Sequence, residues 1–167
     1  MEISNYVLGI HSNVAPSAGF TDGHAWITIT TKVGKGRFAK SYGLWPDTHP
    51  RTKDNGDKTD VRIGMEPARG LANRYYALTN FQHMQLMKLI NTTSHWFYTN
   101  NCSSWSSEIV KNIFRTEMDA DDWLGVETPR ELTRSIQMLE SKEATSVDTP
   151  KIVVWLLTRR GYRRVRP

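Results

Sequence analysis

Over the first 65 residues the apolar positions fall into short alternating or continuous blocks, and beyond residue 79 they recur at helical spacings. Residues 6–10 (Tyr-Val-Leu-Gly-Ile) predict a short strand, and residues 25–31, rich in β-branched and aromatic side chains, a firmer one. Residues 11–22, rich in Ser, Gly, Pro and Asn, predict a loop that delivers the chain to His24. Gly34-Lys35-Gly36 marks a turn, from which residues 37–45 return as the second arm of a hairpin. Residues 46–60 are almost entirely polar and predict an exposed excursion, followed by a further strand at 61–65.

Three helices then carry legible starts. Thr79-Asn80-Phe81-Gln82 has the spacing of a capping box, with Phe81, Met84, Met87 and Ile90 behind it at helical intervals. Trp105, Ile109 and Ile113, joined by Val110 and Phe114, form a second apolar stripe. Thr128-Pro129-Arg130-Glu131 supplies an N-cap, a proline at the first helical position and a glutamate at the third, and Leu132, Ile136 and Leu139 continue that helix. A polar linker at 141–150 leads to a final strand at 152–157. Strands, then helices, then a strand predict an α+β domain with an antiparallel sheet packed against helices, spanning residues 1–158.

Composition narrows this reading in three ways. Six tryptophans, six tyrosines and five phenylalanines supply bulky core material for one domain of this length. No apolar run is long enough to cross a bilayer, and Met1-Glu2-Ile3-Ser4-Asn5-Tyr6 lacks the basic start and apolar stretch of a secretory signal. The expectation is synthesis in the cytoplasm, with any export by a signal-less route. Arg159, Arg160, Arg163, Arg164 and Arg166 equal the whole net charge of +5, so the body is balanced and residues 159–167 read as a basic tail. Such a tail suits an anionic surface. The aromatic residues do not interleave with basic ones as on a single-strand binding platform, so nucleic acid is not the expected partner.

Cys102 is the only cysteine, which excludes an internal disulfide and a cysteine-rich zinc site. The acidic stretch at 119–122 lacks the glycine and distal glutamate of a calcium loop, so neither metal nor cofactor is expected. Cys102 follows Asn100-Asn101 and opens the second predicted helix, where unpaired N–H groups and the helix dipole favour a thiolate. The backbone around Ser103, with Asn101 or Asn100 as a side-chain amide, is the expected donor set for an oxyanion. His24, at the mouth of a strand, is the best-placed base; His11 and His49 fall in predicted loops, His83 lies off its helix's apolar stripe, and His95 is a second candidate. The returning hairpin arm brings Ser41 or Tyr42 opposite His24 as the group that orients the imidazole. The competing class is a basic-tailed binding protein whose cysteine is merely a small buried hydrophobe.

Gly23-His24-Ala25-Trp26, followed much later by Asn101-Cys102-Ser103-Ser104-Trp105, resembles papain-like cysteine hydrolases of circularly permuted order, in which the histidine precedes the cysteine. Related groups are lecithin:retinol acyltransferase-like proteins, permuted NlpC-type cell-wall peptidases and PPPDE-type isopeptidases. The resemblance implies Cys102 as nucleophile and His24 as general base. A narrower resemblance, from the acidic stretch 119–125 into residues 128–132, is to small toxins delivered by bacterial type VI secretion. It implies a secreted effector cleaving peptidoglycan amide bonds, with an immunity protein as a partner. The alternatives that keep the same site are a protease or deamidase acting on host protein and an acyltransferase acting on lipid.

Overall fold

The computed structural model describes residues 2–50, 52, 58–115, 118, 120–121, 125–158 and 161–165. Its elements run β1 (Ile3–Ser12), β2 (Ala25–Val33), β3 (Gly36–Leu44), β4 (Val61–Ile63), β5 (Ala72–Thr79), α1 (Asn80–Ile90), α2 (Cys102–Phe114), α3 (Pro129–Lys142), β6 (Lys151–Ile152), β7 (Val154–Thr158) and β8 (Gly161–Val165). The fold is α+β. A six-stranded sheet has the order β4-β3-β2-β1-β5-β6, and β7-β8 form a separate two-stranded ribbon. Every pairing in the large sheet is antiparallel except that of β6, which lies parallel to β5, so the sheet is mixed rather than antiparallel throughout.

Strand alternation sorts the sheet into two faces. Leu8 lies opposite Ile29 and Tyr76, and Ile10 opposite Ile27; with Ala25 and Leu78 these residues meet Trp105, Ile109 and Phe114 of α2 and Leu132 and Ile136 of α3 in the core. Gly9, His11, Trp26, Thr28 and Ser41 lie on the other face. Thr79 caps α1 in a reciprocal box with Gln82 and Thr128 caps α3 ahead of Pro129, as the sequence predicts; α2 begins at Cys102 under a cap the sequence reading does not assign, Asn101 in a reciprocal box with Ser104. The buried side of α1 is Gln82, Leu86 and Ile90, whereas Phe81 and Met84 are exposed. Gln82 is drawn inward because its side chain accepts from the Thr79 N–H and donates to the Val153 carbonyl.

Four expectations change. His11 belongs to no loop: it is fully buried in β1, with Nδ1 2.8 Å from Asn73 Oδ1 and Nε2 2.8 Å from Thr28 Oγ1, and burial lowers its pKa to about 4. β5 carries none of the alternation that marks a strand, because Arg74 sits buried in it, paired with Glu140 and with the Tyr76 hydroxyl. The strand expected at 61–65 ends at Ile63, where Gly64 (φ +75°) turns the chain and donates its N–H to the Ser41 carbonyl. The final strand divides at Val153, and part of the expected tail pairs back: Arg163 lies opposite Leu156 and Arg164 opposite Trp155. Arg159, Arg160 and Arg166 lie outside the described residues, as do Asp119, Asp122, Trp123 and Leu124 of the acidic stretch. Among the described residues no helix is long and apolar enough to cross a membrane.

Candidate functional site

Cys102 is the first residue of α2, and its position follows from the cap. Asn101 Oδ1 accepts from the N–H of Ser103 at 2.8 Å and of Ser104 at 3.2 Å. Its Nδ2 donates to the carbonyls of Glu127 at 2.7 Å and Tyr98 at 3.1 Å. Every side-chain hydrogen-bonding group of Asn101 is therefore engaged in holding the helix start. This corrects its expected role: it is no free oxyanion donor, and the Ser103 N–H is occupied too. Asn100 donates to the His95 carbonyl at 2.6 Å. Among the described residues no hydrogen bond occupies the N–H of Cys102, which leaves that group as the donor of the first turn.

His24 immediately precedes β2 and is buried. Its Nε2 lies 3.0 Å from Glu66 Oε1. A carboxylate can only accept, so Nε2 carries the proton, and Nδ1 is the ring nitrogen left to act on Cys102, which raises the His24 pKa. Burial alone would lower the His24 pKa; the hydrogen bonds and charges of Cys102 and Glu66 outweigh it and raise the value to about 9. For Cys102 the largest contribution, burial, opposes ionisation. The hydrogen bond and charge of His24, the Ala25 N–H and the Ser103 hydroxyl, 4.0 Å away, together bring the thiol below its ordinary value. The two shifts agree in sense: each partner stabilises the charged form of the other, an imidazolium–thiolate pair.

The third group is Glu66, which the sequence did not single out. Its side chain is 2% exposed, and Oε1 accepts from His24 Nε2 and from Trp45 Nε1, the latter at 2.6 Å. The Trp45 ring also lies 4.0 Å from that of His24, centroid to centroid. Ser41 and Tyr42 are thereby corrected. Tyr42 pairs with Ile27 and faces the core, and Ser41, although on the same side of the sheet as His24, pairs with Thr28, too far along the strand. Ser41 acts one step removed, its hydroxyl accepting from the Glu66 N–H at 3.2 Å. The position beside His24 is Gly43. A Cβ there would stand 1.9 Å from Glu66 Oε1 and 2.8 Å from His24 Nε2, so the missing side chain is the space the carboxylate fills.

The other histidines are placed elsewhere: His95 sits 3.7 Å from Asp60 Oδ2, His83 stacks on Tyr6, and His49 packs edge-on against Trp45 at the cleft rather than in a free loop. The cleft over Cys102 and His24 has a volume of about 600 Å³, with Phe20, Trp45, Trp96 and Tyr98 on its walls. Two devices hold those walls. Arg62, 1% exposed, pairs with Asp47 at 2.5 Å and lies 3.6 Å from Asp60, whose other oxygen accepts from the Trp96 N–H at 2.7 Å. On the opposite side α3 secures the 13–23 loop: Thr133, Arg134 and Arg130 donate to the carbonyls of Val14, Pro16 and Ala18. Among the described residues no group of three or more His, Cys, Asp or Glu side chains is arranged to hold a metal ion.

Compared with protein-family models, with curated proteins and with solved structures, the chain matches none.

Two consequences follow for any reaction in which Cys102 is the nucleophile. Glu66→Gln keeps an oxygen for both donors but removes the charge that helps keep His24 protonated. It is expected to lower kcat about tenfold, equivalent to about 1.4 kcal/mol, with little change in melting temperature. Steady-state kinetics beside a thermal melt checks this. The rate should also be bell-shaped in pH. It rises as Cys102 ionises, below the ordinary thiol range, and falls as His24 loses its proton near its raised value of about 9. A descending limb near pH 6.5 would mean that His24 has an ordinary pKa.

Proposed function

We infer that this chain is a cysteine-dependent hydrolase of amide bonds. The observation that carries the reading is the buried Cys102–His24–Glu66 alignment at the start of a capped helix, opening into a cleft. A structural cysteine needs none of this, since burial in apolar surroundings raises a thiol pKa instead of lowering it. In the reaction Cys102 Sγ bonds to the carbonyl carbon, and the π electron pair moves onto the oxygen, which the Cys102 N–H stabilises. As that pair returns, the carbon–nitrogen bond breaks and His24 gives its proton to the leaving amine. Water, deprotonated by His24, then adds to the acyl carbon, and the carbon–sulfur bond breaks to release the acid and restore the thiolate–imidazolium pair. Glu66 keeps the imidazole oriented throughout.

The substrate reading rests on sequence resemblance. Peptidoglycan peptides are the proposed target, with the chain as a secreted bacterial effector that an immunity protein would block by covering the cleft. Purified protein incubated with peptidoglycan sacculi should release muropeptides in a Cys102-dependent manner. Sacculi left intact, with an acyl group from phospholipid retained on Cys102, would replace this target with lipid acyl transfer; cleavage or deamidation of protein alone would move it to a host protein.

A further inference from the structure

Asn13 is an exposed residue on the cleft wall beside His24, and both ends of its side-chain amide can be assigned. The His24 N–H donates to it at 2.7 Å, and because a backbone N–H can only donate, the atom facing it is Oδ1. Nδ2 therefore points away from the strand. Among the described residues no hydrogen bond occupies it. Two other side-chain donors in the cleft are committed: Asn101 Nδ2 to two carbonyls and Trp45 Nε1 to Glu66.

The amide is also held in place. The Asn13 N–H donates to the His24 carbonyl at 3.2 Å, so the residue extends the β1–β2 ladder by one pair. The loop beyond it is secured by Thr133, Arg134 and Arg130 of α3. Opposite stands Gly23 at φ +86°, where a Cβ would lie 2.9 Å from Asn13 Oδ1 and 1.9 Å from a Val14 methyl. Only glycine lets the amide approach this closely. A donor fixed before the ligand arrives is one whose ordering need not be supplied by binding.

Strand geometry decides which part of a substrate meets it. Successive N–H groups of a strand point to opposite edges. The Ala25 N–H faces the Cys102 sulfur, whereas the His24 N–H faces Asn13. Asn13 thus lies across His24 from the nucleophile, away from the reacting carbonyl. We propose that Asn13 Nδ2 donates a hydrogen bond to a second carbonyl or carboxylate oxygen of the substrate, so that the site is built for a peptide chain. Peptide carbonyls recur with each residue, about 3.8 Å apart along the chain, and so present a second acceptor close to the scissile one. The acyl chain of a lipid ester has none. This deepens the hydrolase reading and rests on it.

The test compares two reagents on Cys102 and needs no turnover. Iodoacetamide alkylates a thiolate without filling a cleft, whereas an epoxysuccinyl dipeptide amide alkylates it while presenting peptide carbonyls and a carboxylate. The ratio of the two rates cancels any change in thiolate fraction. Asn13→Ala, and Asn13→Asp, which retains an acceptor for the His24 N–H but no donor, should each lower the peptide reagent's rate relative to iodoacetamide about tenfold. A ratio within about twofold of the unaltered protein's in both variants overturns the assignment while leaving the hydrolase reading intact. Iodoacetamide labelling of unaltered Cys102 no faster than that of a free thiol at pH 7 overturns both.

Discussion

Cys102→Ala is expected to lower kcat on the order of 10⁶-fold while the protein remains folded, because the residual rate of an enzyme without its nucleophile comes only from binding and polar contacts. The fold should survive for a local reason. Asn101, not the thiol, caps α2, and Asn101 keeps all its partners in the variant. Alanine is also tolerated at the first helical position and leaves only a sulfur-sized gap beside the cleft. A second readout separates loss of chemistry from loss of structure. The hydrogen bond to Cys102 is the largest contribution that raises the His24 pKa, so removing the sulfur should move the histidine down from about 9. Imidazole titration by NMR in the variant measures that shift, and circular dichroism measures the fold.

Gly43→Ala is expected to be the next most damaging change, lowering kcat about 10²-fold or more, although a single methyl is added to a strand. Glycine is a poor strand residue, so alanine there would ordinarily be neutral or better. Here its Cβ would stand 1.9 Å from Glu66 Oε1, and Glu66 is too enclosed to yield without releasing both His24 and Trp45. Misplacement of a catalytic group by about 1 Å is enough for a loss of that size. The thiol should titrate higher in the same variant, because His24 without its carboxylate is less readily protonated. Activity within a factor of two of the unaltered protein would mean that Glu66 has no part in the reaction.

What the sequence disclosed and what it concealed divide along a physical line. Caps are local, so the starts of α1 and α3 were readable from four-residue windows, and the apolar stripe of Trp105, Ile109 and Ile113 placed Cys102 at the start of α2. The histidine at the mouth of β2 was readable for the same reason. Glu66 was not, because it reaches His24 through a tertiary path: out along β3, back along β4 and through the Gly64 turn. One signal was present. On the face of β3 that carries Ser41 the next residue is Gly43, which has no side chain to offer the imidazole, so an orienting group had to come from elsewhere. β5 and buried His11 were concealed because their polar side chains are satisfied by partners 62 to 66 residues away, and alternation counts such residues as surface. Asn101 misled in the opposite sense: an amide beside a nucleophile reads as an oxyanion donor until the cap is seen to occupy it.

The account stands on one claim, that Cys102 and His24 rest as a thiolate–imidazolium pair. The direct measurement is the rate of Cys102 alkylation by iodoacetamide as a function of pH, in the unaltered protein and in His24→Ala. The account predicts a midpoint below that of an ordinary thiol, about 8.5, and a shift upward when His24 is removed. A thiol that titrates at or above that value and does not respond to the loss of His24 would contradict it.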